Sequence, residues 1–286
     1  MESLLFIIKV IIIGIVEGIT EFLPISSTGH MIIIEDLIKF KEGVEPISLY
    51  TKQYKDAFTM IIQLGAILAI VVLYWDKIKK SFQNFSPSHP KSGFKFWLNI
   101  AVAAVPAGVI GLKYHSKINE KLFNPESVTA ALIVGAVWMI FAEKRYRGKF
   151  KTRDIDSVTI KQAFIIGCFQ CLALWPGMSR SASTIIGAWI VGVSTVAAAE
   201  FSFFLALPVM FGVTLKSLKD INVFDLSSMH IIGLTVGFIV SFVVALIVVD
   251  KFINFLKKKP MRVFAIYRIL LGIVLIVLFL FNVIQL

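Results

Sequence analysis

Long apolar runs alternate with short charged segments along the chain. Six runs, at about 56–75, 94–113, 127–143, 196–215, 229–250 and 262–284, approach or exceed the roughly 20 residues a helix needs to cross a bilayer's hydrocarbon core. Two further apolar segments, at about 3–38 and 158–193, are broken near their middle by proline and small polar residues. The first break reads Leu23-Pro24-Ile25-Ser26-Ser27-Thr28-Gly29-His30, the second Trp175-Pro176-Gly177-Met178-Ser179-Arg180-Ser181-Ala182-Ser183-Thr184. Proline ends a helix, and a following serine or threonine caps the next one. A broken helix at membrane depth is tolerated only where its backbone is buried in protein or lines a polar cavity. The pattern therefore predicts two helical hairpins that enter the bilayer and return. The expected fold is an all-α polytopic membrane protein, with six transmembrane helices plus two re-entrant hairpins in one membrane domain over residues 1–286.

The two halves, 1–143 and 158–286, echo each other. Gly14-Ile15-Val16-Glu17 precedes Pro24 and Ser27, and Gly167-Cys168-Phe169-Gln170 precedes Pro176 and Ser179, so a serine follows each proline by three positions. A helix opening near an acid comes next in each half, at Asp56 and at Glu200, followed by two more spans. A hairpin plus three crossings per half makes the halves inverted repeats, an architecture common among transporters.

Composition changes the picture only by excluding classes. With 57% hydrophobic and 16% charged residues, the 286-residue chain is too apolar for an ordinary soluble domain. The net charge of +11 does not indicate a nucleic-acid partner, because the basic residues lie between the apolar runs, where membrane orientation and lipid headgroups account for them. If neither hairpin crosses, the loops at 76–95, 144–161 and 251–262 share one side and hold 17 Lys/Arg, against 9 in the loops at 39–55, 113–126 and 216–228. The positive-inside rule then places the first set in the cytoplasm and both termini outside. No cleavable leader is expected, since Met1-Glu2-Ser3 lacks positive charge and the run from Leu4 meets Glu17 and Glu21 without a small-residue cleavage site. Cys168 and Cys171 lack a redox or metal context and read as small apolar residues.

A charged side chain at the bilayer centre costs about 2.5–3.5 kcal/mol on insertion scales and needs a partner or a function. Glu17, Glu21, Arg180 and Glu200 qualify, with His30 beside them. Glu17 and Glu21 lie one helical turn apart and face the same way. Ser26 or Ser27 opens the second arm of the first hairpin, with Thr28 following and His30 about one turn on. Gly177, Ser179, Ser181 and Thr184 surround the corresponding point of the second, where Arg180 adds a planar fork of donors suited to phosphate. Two helix N-termini, with free N–H groups and the positive dipole end, form an expected anion site. A phosphate anion beside two carboxylates is repelled unless one is protonated or a divalent cation intervenes. Mg²⁺ or Ca²⁺ at Glu17 and Glu21 is the expectation. Glu200 is ambiguous, either a partner for Arg180 or the mark of a helix entrance; Asp56, Gln63 and Asn99 read as interhelical hydrogen-bonding groups.

These residues resemble the two signature motifs of the bacterial undecaprenyl-pyrophosphate phosphatase family: Glu17-x-x-x-Glu21 with Pro24-Ile-Ser-Ser-Thr-Gly-His30, and Pro176-Gly-Met-Ser-Arg-Ser-Ala-Ser-Thr184. The resemblance spans essentially the whole chain. It implies a phosphatase of the bacterial plasma membrane that converts undecaprenyl pyrophosphate to undecaprenyl phosphate, recycling the carrier for peptidoglycan. It also implies bacitracin resistance on overproduction and a homodimer. Ser27 is the expected nucleophile with His30 as base or acid, while attack by water activated at Glu21 or His30 stays open. Ser26, Thr28, Gly177, Ser179, Ser181, Thr184, Glu17 and Arg180 are the expected phosphate ligands. A lipid-phosphate transporter or flippase with the same inverted site is the rival reading, and phosphate release separates the two.

Overall fold

The computed structural model describes residues 2–40, 51–87, 92–219 and 226–281. Eleven α-helices carry these residues: α1 Glu2–Thr20, α2 Ser27–Leu37, α3 Lys52–Leu73, α4 Trp75–Gln83, α5 Gly93–Leu122, α6 Pro125–Tyr146, α7 Ile160–Gln170, α8 Arg180–Ile190, α9 Thr195–Lys219, α10 Ser228–Leu256 and α11 Arg262–Leu280. Their starts follow local chemistry. Thr159 and Ser227 each form a reciprocal capping box with the residue three on, Gln162 and His230, and Asn124 caps α6 ahead of Pro125.

The protein is a multi-pass membrane protein: seven helices among the described residues are long and apolar enough to cross a bilayer. Six of these coincide with the runs expected from sequence. The seventh is α1, expected only as a hairpin arm. Its 19 residues suffice by length and composition because the break at Pro24 falls beyond its end rather than at its middle. The corresponding arm α7 has only 11 residues, continued by a short 3-10 turn at Cys171–Leu174.

Helix packing crosses between the halves. α1 lies along α10, and α7 lies along α5. Small residues permit both approaches: a Cβ on Gly14 or Gly18 would press on the α10 backbone at Gly237 or Ser241, and one on Gly167 would strike the Ala103 carbonyl of α5. Without a hydrophobic drive between helices in lipid, such backbone proximity supplies much of the association through dispersion contacts. A polar tie joins α10 to α3 as well, where the Ser241 hydroxyl donates to the Ile62 carbonyl at 2.7 Å. α6 and α11 pack against each other beside the two hairpins. The main core gathers Phe22 from the first hairpin turn, Ile185 and Ile186 from α8, and Phe201, Phe203 and Phe204 from α9. Outward faces stay apolar, as lipid contact requires; Val105, Val137, Phe141, Ile247 and Leu270 are all exposed.

Candidate active site

Both hairpin turns end in the same unusual residue. Ser26 caps α2 with φ 72°, accepting from the Gly29 N–H at 3.4 Å, and Ser179 caps α8 with φ 70°, accepting from the Ala182 N–H at 3.3 Å. Lys39 is the only other non-glycine residue with positive φ among those described. Each such conformation costs about 1–3 kcal/mol and persists only where its surroundings enforce it. The structural match between the halves is therefore Ser26 with Ser179. This corrects the spacing-based match of Ser27 with Ser179 by one residue, because the first turn carries one residue fewer between proline and cap. The first helical residues, Ser27 of α2 and Arg180 of α8, become counterparts.

Those two counterparts converge on Glu21. The Ser27 hydroxyl donates to Glu21 Oε2 at 3.1 Å, and Arg180 Nη2 donates to Glu21 Oε1 at 3.2 Å. Arg180 and Glu21 form an ion pair with side chains only 11% and 7% exposed. The other guanidinium arm donates from Nη1 to the Ser202 carbonyl at 2.8 Å, and the cation lies 5.7 Å from the centre of the Phe22 ring. Arg180 thus pairs with Glu21 and not with Glu200, which accepts instead from the Tyr74 hydroxyl at 3.4 Å.

Ser181 and Thr184 are fully buried. The Ser181 hydroxyl donates to the Leu23 carbonyl at 2.9 Å, tying the two hairpins together. The Thr184 hydroxyl is satisfied by the Arg180 carbonyl at 2.9 Å and Ser202 Oγ at 2.8 Å. Both expected phosphate ligands are placed as braces behind the site. Glu21, Ser27, Thr28, Ser179 and Arg180 keep partial exposure and form its accessible face. Gly177 shapes the second turn: φ is 97°, and a Cβ there would collide with the Val128 carbonyl.

Glu17 is completely buried, and neither carboxylate oxygen accepts a hydrogen bond from a donor. It lies one turn below Glu21, whose N–H still bonds the Glu17 carbonyl at 3.0 Å, and the two carboxyl groups are near enough to repel. His30 does not meet Ser27. Its Nδ1 lies 2.7 Å from the Ser26 carbonyl and its Nε2 2.7 Å from the Tyr267 hydroxyl. The expected serine–imidazole pair is replaced by Ser27–Glu21 and His30–Tyr267, because the N-cap carbonyl of Ser26 faces residue 30, four positions on, and takes the imidazole.

Three residues that contact the site were not singled out from sequence: Ser202, Tyr267 and Arg268. Arg268 is fully buried, and its Nη2 donates to the Gly177 carbonyl at 3.1 Å and the Ala131 carbonyl at 3.2 Å. An arginine inside an apolar run was the available signal. Asn99, expected to bond between helices, instead donates from α5 to the Val158 carbonyl in the segment leading into α7, at 2.7 Å.

The family described as bacitracin resistance protein BacA matches residues 10–274. An undecaprenyl-diphosphatase of Clostridium novyi (strain NT) is 88% identical over 285 residues, covering 100% of both chains. Undecaprenyl-diphosphatase 2 of Clostridium acetobutylicum is 60% identical, covering 96% of this chain and 97% of its own, and an undecaprenyl-diphosphatase of Clostridium tetani is 49% identical over 98% and 99%. With residues 10–274 matched by that family and full-length relatives of up to 88% identity, the chain belongs to the BacA family.

Proposed function

We infer that the protein is a membrane phosphatase that hydrolyses undecaprenyl pyrophosphate to undecaprenyl phosphate and inorganic phosphate, returning the lipid carrier to cell-wall synthesis. The observation that carries this reading is Glu21 held between a hydroxyl from one hairpin and a guanidinium from the other. An anion transporter needs donors; it does not need a serine hydroxyl presented to a carboxylate base. In the proposed reaction Ser27 Oγ attacks the terminal phosphorus as its proton passes to Glu21. The bond to the bridging oxygen breaks, and undecaprenyl phosphate departs with that electron pair. Water then hydrolyses the phosphoserine. Arg180 and the N–H groups opening α2 and α8 stabilise charge on the transferring phosphoryl oxygens. Direct attack by water is the alternative chemistry at the same site.

The orphaned carboxylate of Glu17 above all suits a divalent cation. Glu17 and Glu21 supply hard oxygen ligands, and Mg²⁺ is commonly held by one or two carboxylates plus substrate phosphates. Bound there, Mg²⁺ or Ca²⁺ would offset the repulsion between substrate and carboxylates. Interlocked packing of α1 on α10 and α7 on α5 supports inverted halves, 1–143 and 158–286. With neither hairpin crossing fully, the loop charges favour outside termini and an active site opening to the extracytoplasmic face of the bacterial plasma membrane. A homodimer is the proposed assembly. Phosphate release from isoprenyl pyrophosphates by purified protein in detergent tests the reading; no release under any tested cation or pH would favour transport.

A further inference from the structure

The last helix reaches the turns of both hairpins from adjacent residues. Arg268 donates to the Gly177 carbonyl in the second turn, and the Tyr267 hydroxyl meets His30 beside the first. The second contact has a chemical direction. A carbonyl only accepts, so His30 Nδ1 must carry the proton it gives to Ser26. In a neutral imidazole the Nε2 lone pair then faces Tyr267, whose hydroxyl donates. The two rings lie nearly parallel, at 7°, with centroids 5.5 Å apart. The result is a one-way chain of hydrogen bonds from Tyr267 through His30 to the carbonyl of Ser26, the strained cap whose peptide leads directly into Ser27.

We propose that Tyr267 is a positioning residue: its hydroxyl fixes the tautomer and orientation of His30, which pins the Ser26 carbonyl and so aims the Ser27 hydroxyl at Glu21. The proposal rests on the phosphatase reading for its kinetic arm alone. Tyr267 lies on the exposed face of α11, 43% accessible, so Tyr267→Phe removes one hydroxyl without opening the core. Losing one neutral hydrogen bond in this chain should lower kcat about tenfold while leaving KM nearly unchanged. In a His30→Ala background the same substitution should cost nothing further, since Tyr267 acts through the imidazole. Nitrogen-15 spectra of histidine-labelled protein give a readout independent of turnover. Wild type should show His30 protonated at Nδ1, and Tyr267→Phe should shift the Nε2 resonance while those of the other histidines stay fixed. A wild-type His30 protonated at Nε2, an unmoved resonance, or a further loss in the His30→Ala background would overturn the proposal. An inactive wild type with the expected spectra would instead overturn the phosphatase reading and leave the Tyr267–His30 bond standing.

Discussion

Replacing Arg180 by lysine keeps the positive charge and removes the fork. The guanidinium spans two acceptors on different elements, the Ser202 carbonyl of α9 at 2.8 Å and Glu21 Oε1 at 3.2 Å. One ammonium on a flexible stem can hold only one of them in place. A hydrogen bond to a charged group contributes about 1.5–3 kcal/mol, so losing one from the transition state slows turnover about 10- to 150-fold. Arg180→Met removes the charge as well and leaves Glu21 buried without its cation, a change that costs about 3–5 kcal/mol when a buried pair loses one member. The lysine variant should therefore purify and melt like wild type but release phosphate slowly, while the methionine variant should also melt earlier in detergent. Glu21→Gln combined with Arg180→Met should recover part of that stability, because the double variant buries no lone charge. A lysine variant within twofold of wild-type turnover refutes the clamp and reduces Arg180 to a counter-charge for Glu21.

Three other outcomes follow from the same site. Ser27→Ala should abolish turnover, His30→Ala should greatly slow it while leaving a measurable rate, and labelled phosphoserine should be trapped by rapid acid quench; substantial turnover in Ser27→Ala would make water the nucleophile. Exhaustive chelation should stop phosphate release and added Mg²⁺ or Ca²⁺ should restore it, with Glu17→Gln weakening the response; full activity in chelator would leave a protonated Glu17 in the cation's place. Cysteines introduced singly at Ser48 and Ser88, which lie outside the described residues, should label differently in intact cells lacking Cys168 and Cys171. An impermeant thiol reagent should reach the first and not the second, and the reverse pattern inverts the topology.

The chain's architecture is legible where one physical rule dominates. Uninterrupted apolar runs gave six spans, since nothing but a helix satisfies its own backbone in lipid. Pro24 and Pro176 marked both hairpins for the same reason. The rule is weaker at the turns, where one residue decides the outcome: spacing from proline aligned Ser27 with Ser179, yet backbone conformation pairs Ser26 with Ser179. That single shift moves Arg180 opposite Ser27. Tyr267 lies beyond any local pattern. It is 237 positions from His30, and only the packing of α11 beside the first hairpin brings them to 2.7 Å.

The crossed packing of the halves governs how the protein can be made. α1 leaves the ribosome first, but α10, the surface it lies along, begins at Ser228, more than two hundred residues later. At about 5–20 residues per second, that interval lasts on the order of ten to forty seconds. Throughout it the Gly14 and Gly18 face has no partner, and Glu17 must enter lipid neutral or remain near the interface. The first arm of each hairpin packs on a helix of the other half, α1 on α10 and α7 on α5. Assembly of the site is consequently a late event in biogenesis. A chain truncated before α10 should be a substrate for membrane quality control, and two separately expressed halves should gain activity only when they are made together.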